Sequence, residues 1–357
     1  MRPAARAGGG RVLRHFLIIA VMLAAPFAQP ARAADDISAK LAALQMRDER
    51  VQSIGWNLVT GNAPFCAETR PAAGLLLQDV AAFGDPAAAR AAMGLSGDIA
   101  VQARATGSPA DRAGLPVFAE VLSVDGQSMH SLPPAGPENW QRLAALHRKL
   151  DEALRARGQV EIVWRDRSAT PISATLVGQT ACASGFEVIA GSRRASANGD
   201  RVAVGADFVG FTYAEELLAA AIAHELAHNL LGHPGWLDEI GRKRRTVRVT
   251  EREADRLMPW LLANGGYDPA AALRFMRTWG PGNDGGLFRS RTHDGWDERA
   301  EFIAAELPLI ARSRAASGAA DWRTGFRREI DPAPIPAPAY SAPSAVSAGA
   351  SSGSPKE

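Results

Sequence analysis

Thr212-Tyr-Ala-Glu-Glu-Leu-Leu-Ala-Ala-Ala-Ile-Ala-His-Glu-Leu-Ala-His-Asn-Leu-Leu-Gly-His-Pro234 is the stretch on which the reading of this chain turns. Thr212 and Glu215 have the spacing of a capping box, Leu217, Leu218, Ala221 and Ile222 continue an apolar helical run, and Gly232 with Pro234 ends it. His224 and His228 then lie one helical turn apart on one face, where both imidazoles can reach a single tetrahedral ion. Glu225 stands one step round from His224, placed to hold and deprotonate a water at that ion. A chance H-E-x-x-H in a chain of this length is expected at only about the per-cent level.

An open catalytic metal site needs a third protein ligand. His233 follows His228 by five residues, ~140° round the helix and at its predicted end, and is a poor candidate. The metzincin pattern is excluded, because Leu231 and Pro234 occupy the places of its Gly and third His. In Glu251-Arg-Glu-Ala-Asp255 the first and last residues fall at i and i+4 on a second helix. Glu251 is the expected ligand, and Asp255 the group that orients a ligand imidazole from behind. Glu253 points off that face and, with Thr250, fits a second capping box, so it reads as structural.

These motifs together, H-E-L-A-H at 224–228 and E-x-E-A-D-R at 251–256, resemble the gluzincin endopeptidases related to the CAAX prenyl protease, of the HtpX and BepA kind. The resemblance spans about residues 186–305. It implies one zinc ion held by His224, His228 and Glu251, with Glu225 catalytic, and a soluble exported protein rather than a multi-pass one. A weaker likeness lies in Arg291-Thr-His-Asp-Gly-Trp-Asp-Glu-Arg299, where Asp294 replaces the usual Pro. It implies that His293 or Arg299 stands beside the site, supporting the transition state or the fold; a surface loop with a helix start is the alternative. Substrate is expected to pair with an edge strand at Arg201–Val204, which recognises extended chain more than sequence.

Moving outward from the helix, the stretch from Pro71 to Val177 alternates β-rich segments, Ile99–Ala103, Glu120–Val124 and Val160–Trp164, with turn signals such as Asp125-Gly126 and one helical segment at 138–157. Gly107-Ser-Pro-Ala-Asp-Arg-Ala-Gly-Leu115, followed by Val121-Leu-Ser-Val-Asp-Gly-Gln127, resembles the core of a bacterial PDZ domain, although Phe118-Ala119-Glu120 departs from the pattern. The likeness implies a module that takes an extended peptide as an added strand, with a structural spacer as the alternative; a groove near Gly94-Leu95 is not clear enough to assign.

The N-terminus has Arg2, Arg6, Arg11 and Arg14, a short apolar run at 16–25 followed by Pro26, and Ala31-Arg32-Ala33, the pattern of a cleavable export signal over residues 1–33, an uncleaved membrane anchor being the alternative. No other stretch is long and apolar enough to span a bilayer. Cys66 and Cys182 are the two cysteines, and in an oxidising compartment a disulfide is expected, two buried thiols being the alternative. A bridge would close the base of the β-rich insertion. The formal net charge of +2 gives no reason to expect a nucleic-acid partner, and the basic run 242–245 reads as a solvated loop.

The expected fold class is therefore α+β, a mainly helical zincin domain with a small edge-strand sheet plus a β-rich PDZ-like module. The divisions are a signal at 1–33, helices at 34–70 packed on the catalytic domain, the PDZ-like module at 71–180, the peptidase domain at 181–315, and a Pro/Ala/Ser-rich disordered tail at 316–357 whose composition is most extreme beyond Asp331. The expected activity is hydrolysis of unfolded or misfolded exported polypeptides. A periplasmic chaperone or assembly factor with minor proteolysis is the alternative.

Overall fold

The computed structural model describes residues 29–136, 139–165, 170–283 and 294–330, and its architecture is α+β. The predicted export signal lies outside the described residues up to position 28, and residues 29–33 form the beginning of α1 (Gln29–Gly61). Among the described residues no helix is long and apolar enough to cross a membrane.

One stripe of α1, Val51, Ile54 and Leu58, is buried in the main core, as the helical period requires. Its polar residues join the two halves of the molecule. Asp48 accepts hydrogen bonds from the Gln102 side chain at 2.7 Å and from the backbone N–H of Val188 at 2.8 Å. Gly55 is needed for this fit, because a Cβ there would stand 2.4 Å from the Phe186 ring.

After α1 the chain makes β1 (Thr69–Ala72), β2 (Leu75–Asp79), α2 (Pro86–Met93), β3 (Ile99–Arg104), α3 (Pro109–Arg112), β4 (Glu120–Val124), β5 (Gln127–Ser128), α4 (Gln141–Arg157), β6 (Gln159–Arg165), β7 (Ile172–Val177) and β8 (Gln179–Cys182). Strands β2-β3-β4-β6-β7 form an antiparallel ladder in that order, with β5 beside β4. The ladder and α4 enclose a separate core around Leu77, Val101, Leu115, Val121, Leu154 and Ile162. Local signals act as their chemistry dictates: Ser108 caps α3 by accepting from Asp111 N–H, and Asp125-Gly126, both at positive φ, turn β4 into β5. Phe118, the departure noted in the sequence, has φ 62°. Glu120 is buried and accepts from the backbone N–H groups of Ser96 and Gly97 and from Arg165.

Strands β1 and β8 pair antiparallel, Thr69 opposite Cys182, at the base of this module. The Cys66–Cys182 disulfide joins the same two chain segments, with the Cα atoms 5.6 Å apart. The insertion is thus tied at its neck by a ribbon and a covalent bond.

The remainder comprises β9 (Gly185–Ile189), β10 (Ala195–Ala197), β11 (Arg201–Gly205) and helices α5 (Glu215–Leu230), α6 (His233–Ile240), α7 (Arg244–Asn264), α8 (Ala271–Asn283), α9 (Trp296–Ser317) and α10 (Trp322–Gly325). Three expectations need correction. The strand at 201–205 is not an edge: it is central, with β10 antiparallel on one side and β9 parallel on the other. The short hairpin partner at 195–197 is too small and polar to announce itself as a strand. Neither capping box forms. Ala214 precedes α5 without a side-chain cap, while Thr250 lies inside α7, which starts six residues earlier and runs through the motif. Finally, the packed chain continues past 316: Ala320, Trp322, Phe326 and Ile330 are buried. The segment from 331 to 357 lies outside the described residues.

Candidate metal centre

Helix α5 is buried nearly all round, from Leu218 to His228, and packs against α7. Gly232, at φ 70°, ends it and lets the chain re-enter as α6 with Pro234 in the first turn. This packing brings the i, i+4 histidines of α5 against the i, i+4 carboxylates of α7.

His224 Nε2 and His228 Nε2 are 3.3 Å apart, and each is 3.5 Å from a different oxygen of Glu251. Nitrogen and oxygen ligands at ~2.0–2.2 Å from a tetrahedral ion are separated by about 3.3–3.5 Å, the range of the contact between the imidazoles and of the contact each makes with its own Glu251 oxygen. His224, His228 and Glu251 form a group that could hold a metal ion. Both histidines are buried, whereas Glu251 and Glu225 are part-exposed, so solvent reaches the carboxylate side of the group. The donor set itself, two imidazoles and one carboxylate, fits a borderline divalent ion such as zinc and leaves a fourth position for water or substrate.

The far nitrogen of each imidazole is held from behind. His224 donates from Nδ1 to Asp255 Oδ1 at 3.1 Å, and Asp255 is gripped by Arg299 through two bonds of 2.6 and 2.8 Å. All three are buried. Arg299 Nη2 also lies 4.0 Å from Glu251 Oε2. Thus Arg299 stands beside the site, but its fork is committed to Asp255 and it acts there as a support. His293 lies outside the described residues. Asp294 is bound by Arg252 at 3.0 Å and Arg248 at 3.3 Å, which fixes the start of α9 against α7.

The second arm was not visible in the sequence. His228 Nδ1 is 3.0 Å from His233 Nδ1, and His233 Nε2 is 3.0 Å from Glu253 Oε2. His233, a poor ligand candidate by its spacing, lies outside the group that could hold a metal and stands instead behind His228. The signal available was its spacing from His228 across a helix break, but only the turn at Gly232 swings its ring back under His228.

Burial opposes charge throughout the site, and the partners decide the outcome. Burial works to lower His224, yet bonding to Asp255 and Glu251 outweighs it and lifts the imidazole to about 10 without metal. His228, which has no carboxylate behind its Nδ1, is pushed down to about 3 by burial, with the charge of Glu251 opposing the shift. Burial raises the Glu225 carboxyl to about 7, with His224 opposing and the charge of Glu251 reinforcing the shift. Asp255 stays low despite burial because Arg299 and His224 face it.

Comparison with protein-family models, curated proteins and solved structures finds no match to this chain. The geometry of the site carries the functional reading by itself.

Proposed function

We propose that the chain is a metal-dependent hydrolase. More particularly, it is a zinc endopeptidase of the gluzincin kind, acting on extended or unfolded polypeptide in an exported setting. The observation that carries this is the convergence of His224 Nε2, His228 Nε2 and both Glu251 oxygens at ligand spacing, with Glu225 adjacent on α5. The Cys66–Cys182 bond is consistent with export.

When bound, zinc supplies a Lewis acid that polarises the scissile carbonyl and makes water acidic near neutral pH. Glu225 takes a proton from the attacking water and hands it to the amine nitrogen as the C–N bond breaks, leaving one carboxylic acid and one amine with no covalent enzyme intermediate. A carboxyl lifted toward neutrality suits both transfers. His224, His228 and Glu251 bind, while Asp255 and Arg299 orient. For substrate, the open edge of the small sheet is β10, which packs near α5; the opposite edge, β9, is covered by α1 through Gln52 and Asp48. An extended peptide paired along β10 would lie beside the metal ligands.

The decisive test compares wild type with Glu225→Gln for bound zinc and for cleavage of casein. Zinc is expected in both, and cleavage is expected to fall by a factor of about 10²–10⁴ in the variant. Equal cleavage in both, or no zinc in either, defeats the reading.

A second reading, a peptide-holding factor, draws on the module. Strand β2 is the edge of its ladder, and the backbone of Leu77 faces His147 Nε2 at 3.4 Å. There a cleft opens between Gly74, Leu76 and Asp151 on the module and Trp56, Phe186 and Arg201 on the helical half. Near Gly94-Leu95, the other place considered for a groove, Gly94 caps α2. Suppression of aggregation by Glu225→Gln as effective as that by wild type would favour this role alongside the enzyme.

A further inference from the structure

We propose that the C-terminal segment Arg328–Ile330, acting through Glu253 and His233, holds His228 in its metal-binding orientation, so that His233 and Glu253 are positioning residues. The inference rests on the metal site proposed above.

The argument starts from donors and acceptors. The two Nδ1 atoms of His228 and His233, 3.0 Å apart, can bond only if one bears the proton and the other the lone pair. His228 Nε2 faces Glu251 and His224 Nε2 and must keep a lone pair to ligate. Its proton therefore belongs on Nδ1, donated to His233. The proton of His233 then sits on Nε2 and is donated to Glu253 Oε2 at 3.0 Å. An ionised carboxylate only accepts, so the order of the whole relay is set from its Glu253 end.

Glu253 in turn depends on the last described residues of the chain. Its side chain has no solvent exposure, and a buried carboxylate needs partners. Oε2 also accepts from Arg328 Nε at 2.9 Å, while Oε1 accepts from the backbone N–H of Ile330 at 2.9 Å and from that of Glu329. Arg328 further donates to the carbonyl of Leu231, the residue that closes α5 three positions after His228. The segment thus bridges the end of the ligand helix and the middle of α7. Phe326 and Ile330, both buried, anchor it on either side. Without the segment Glu253 would retain one of its four partners, and His233 would lose a fixed acceptor.

The test uses the full chain and the metal alone, Zn²⁺ by chelator competition and Co²⁺ by its visible absorption. His233→Phe should weaken zinc binding by about 10–100-fold and shift the cobalt bands, as loss of a group behind a ligand does. Arg328→Gln should give a smaller loss in the same direction. A folded His233→Phe with wild-type zinc affinity and cobalt spectrum overturns the proposal; if that variant does not fold, Arg328→Gln, at a part-exposed side chain, decides in the same way. Absence of metal binding by wild type would instead overturn the metal site itself.

Discussion

The two histidines proposed as ligands sit one turn apart on the same helix, yet they are supported in different ways. His224 is held by a short arm, Asp255 and Arg299, in which each link is a charged group fully enclosed between α5, α7 and α9. His228 is held by a longer arm, His233 and Glu253, that ends in a backbone segment reached only after every helix of the core has been laid down. The short arm is electrostatic and sealed; the long arm is a directional hydrogen-bond relay with a partly solvated end. The difference teaches that ligands equivalent in the motif need not be equivalent in energetics.

The largest expected effect contrasts the arms directly. Asp255→Ala leaves Arg299 charged and buried without its bidentate partner, only Glu251 facing it at 4.0 Å, and should cost about 3–5 kcal/mol in urea unfolding of the metal-free protein. Glu253→Ala strands two backbone N–H groups and His233 but lets Arg328 turn toward solvent, so about 1–3 kcal/mol is expected. Equal costs would erase the distinction.

Next is the neck of the module. Cys66→Ser with Cys182→Ser opens a loop of sequence separation 116 and should cost about 2–4 kcal/mol. Since every residue of both arms lies outside that loop, zinc affinity of the folded variant should stay at the wild-type value; a loss would mean that the insertion tensions the site.

The proton inventory distinguishes the arms more finely. The metal-free His224 is lifted to about 10 and His228 lowered to about 3, so metal binding at pH 7.5 should release one proton from the histidines, that of the short arm, beside the fraction still held by Glu225 at about 7. Affinity should then fall as pH falls below the lifted value, by about tenfold per unit, the slope of a single proton. Calorimetry in buffers of different ionisation heat measures the release, and Asp255→Asn should reduce it. Release of two protons, or none, would contradict the assignment.

The smallest effect concerns Asp294, whose partners Arg248 and Arg252 are 41% and 26% exposed. Asp294→Ala should cost no more than about 1 kcal/mol. A larger cost would show that the start of α9, which carries Arg299, is part of the short arm's support.

Much of the candidate site was legible because its information is local. The helical period alone puts His224 and His228 on one face and Glu251 and Asp255 on another, and Asp125-Gly126 and Gly232 state their turns through their own backbone chemistry. The errors occurred where local rules met partners from elsewhere. Thr250 and Glu253 have the letters of a capping box, but packing of α7 on α5 extends that helix upstream and leaves Glu253 to bind His233 and the C-terminal segment. Arg201–Gly205 has the length of an edge strand, but a three-residue partner at 195–197 makes it central.

What the sequence by itself determined is the set of groups: two imidazoles and two carboxylates at helical spacing, a further carboxylate at Glu225 beside them, and two cysteines able to bond. Tertiary structure alone decided that the two carboxylates face the imidazoles, that Arg299 and His233 stand behind them, and that the segment 328–330 completes the second arm. Spacing within a helix is set by backbone geometry and can be read residue by residue; the partner of a buried charge is set by which helices pack together, and no local rule contains it.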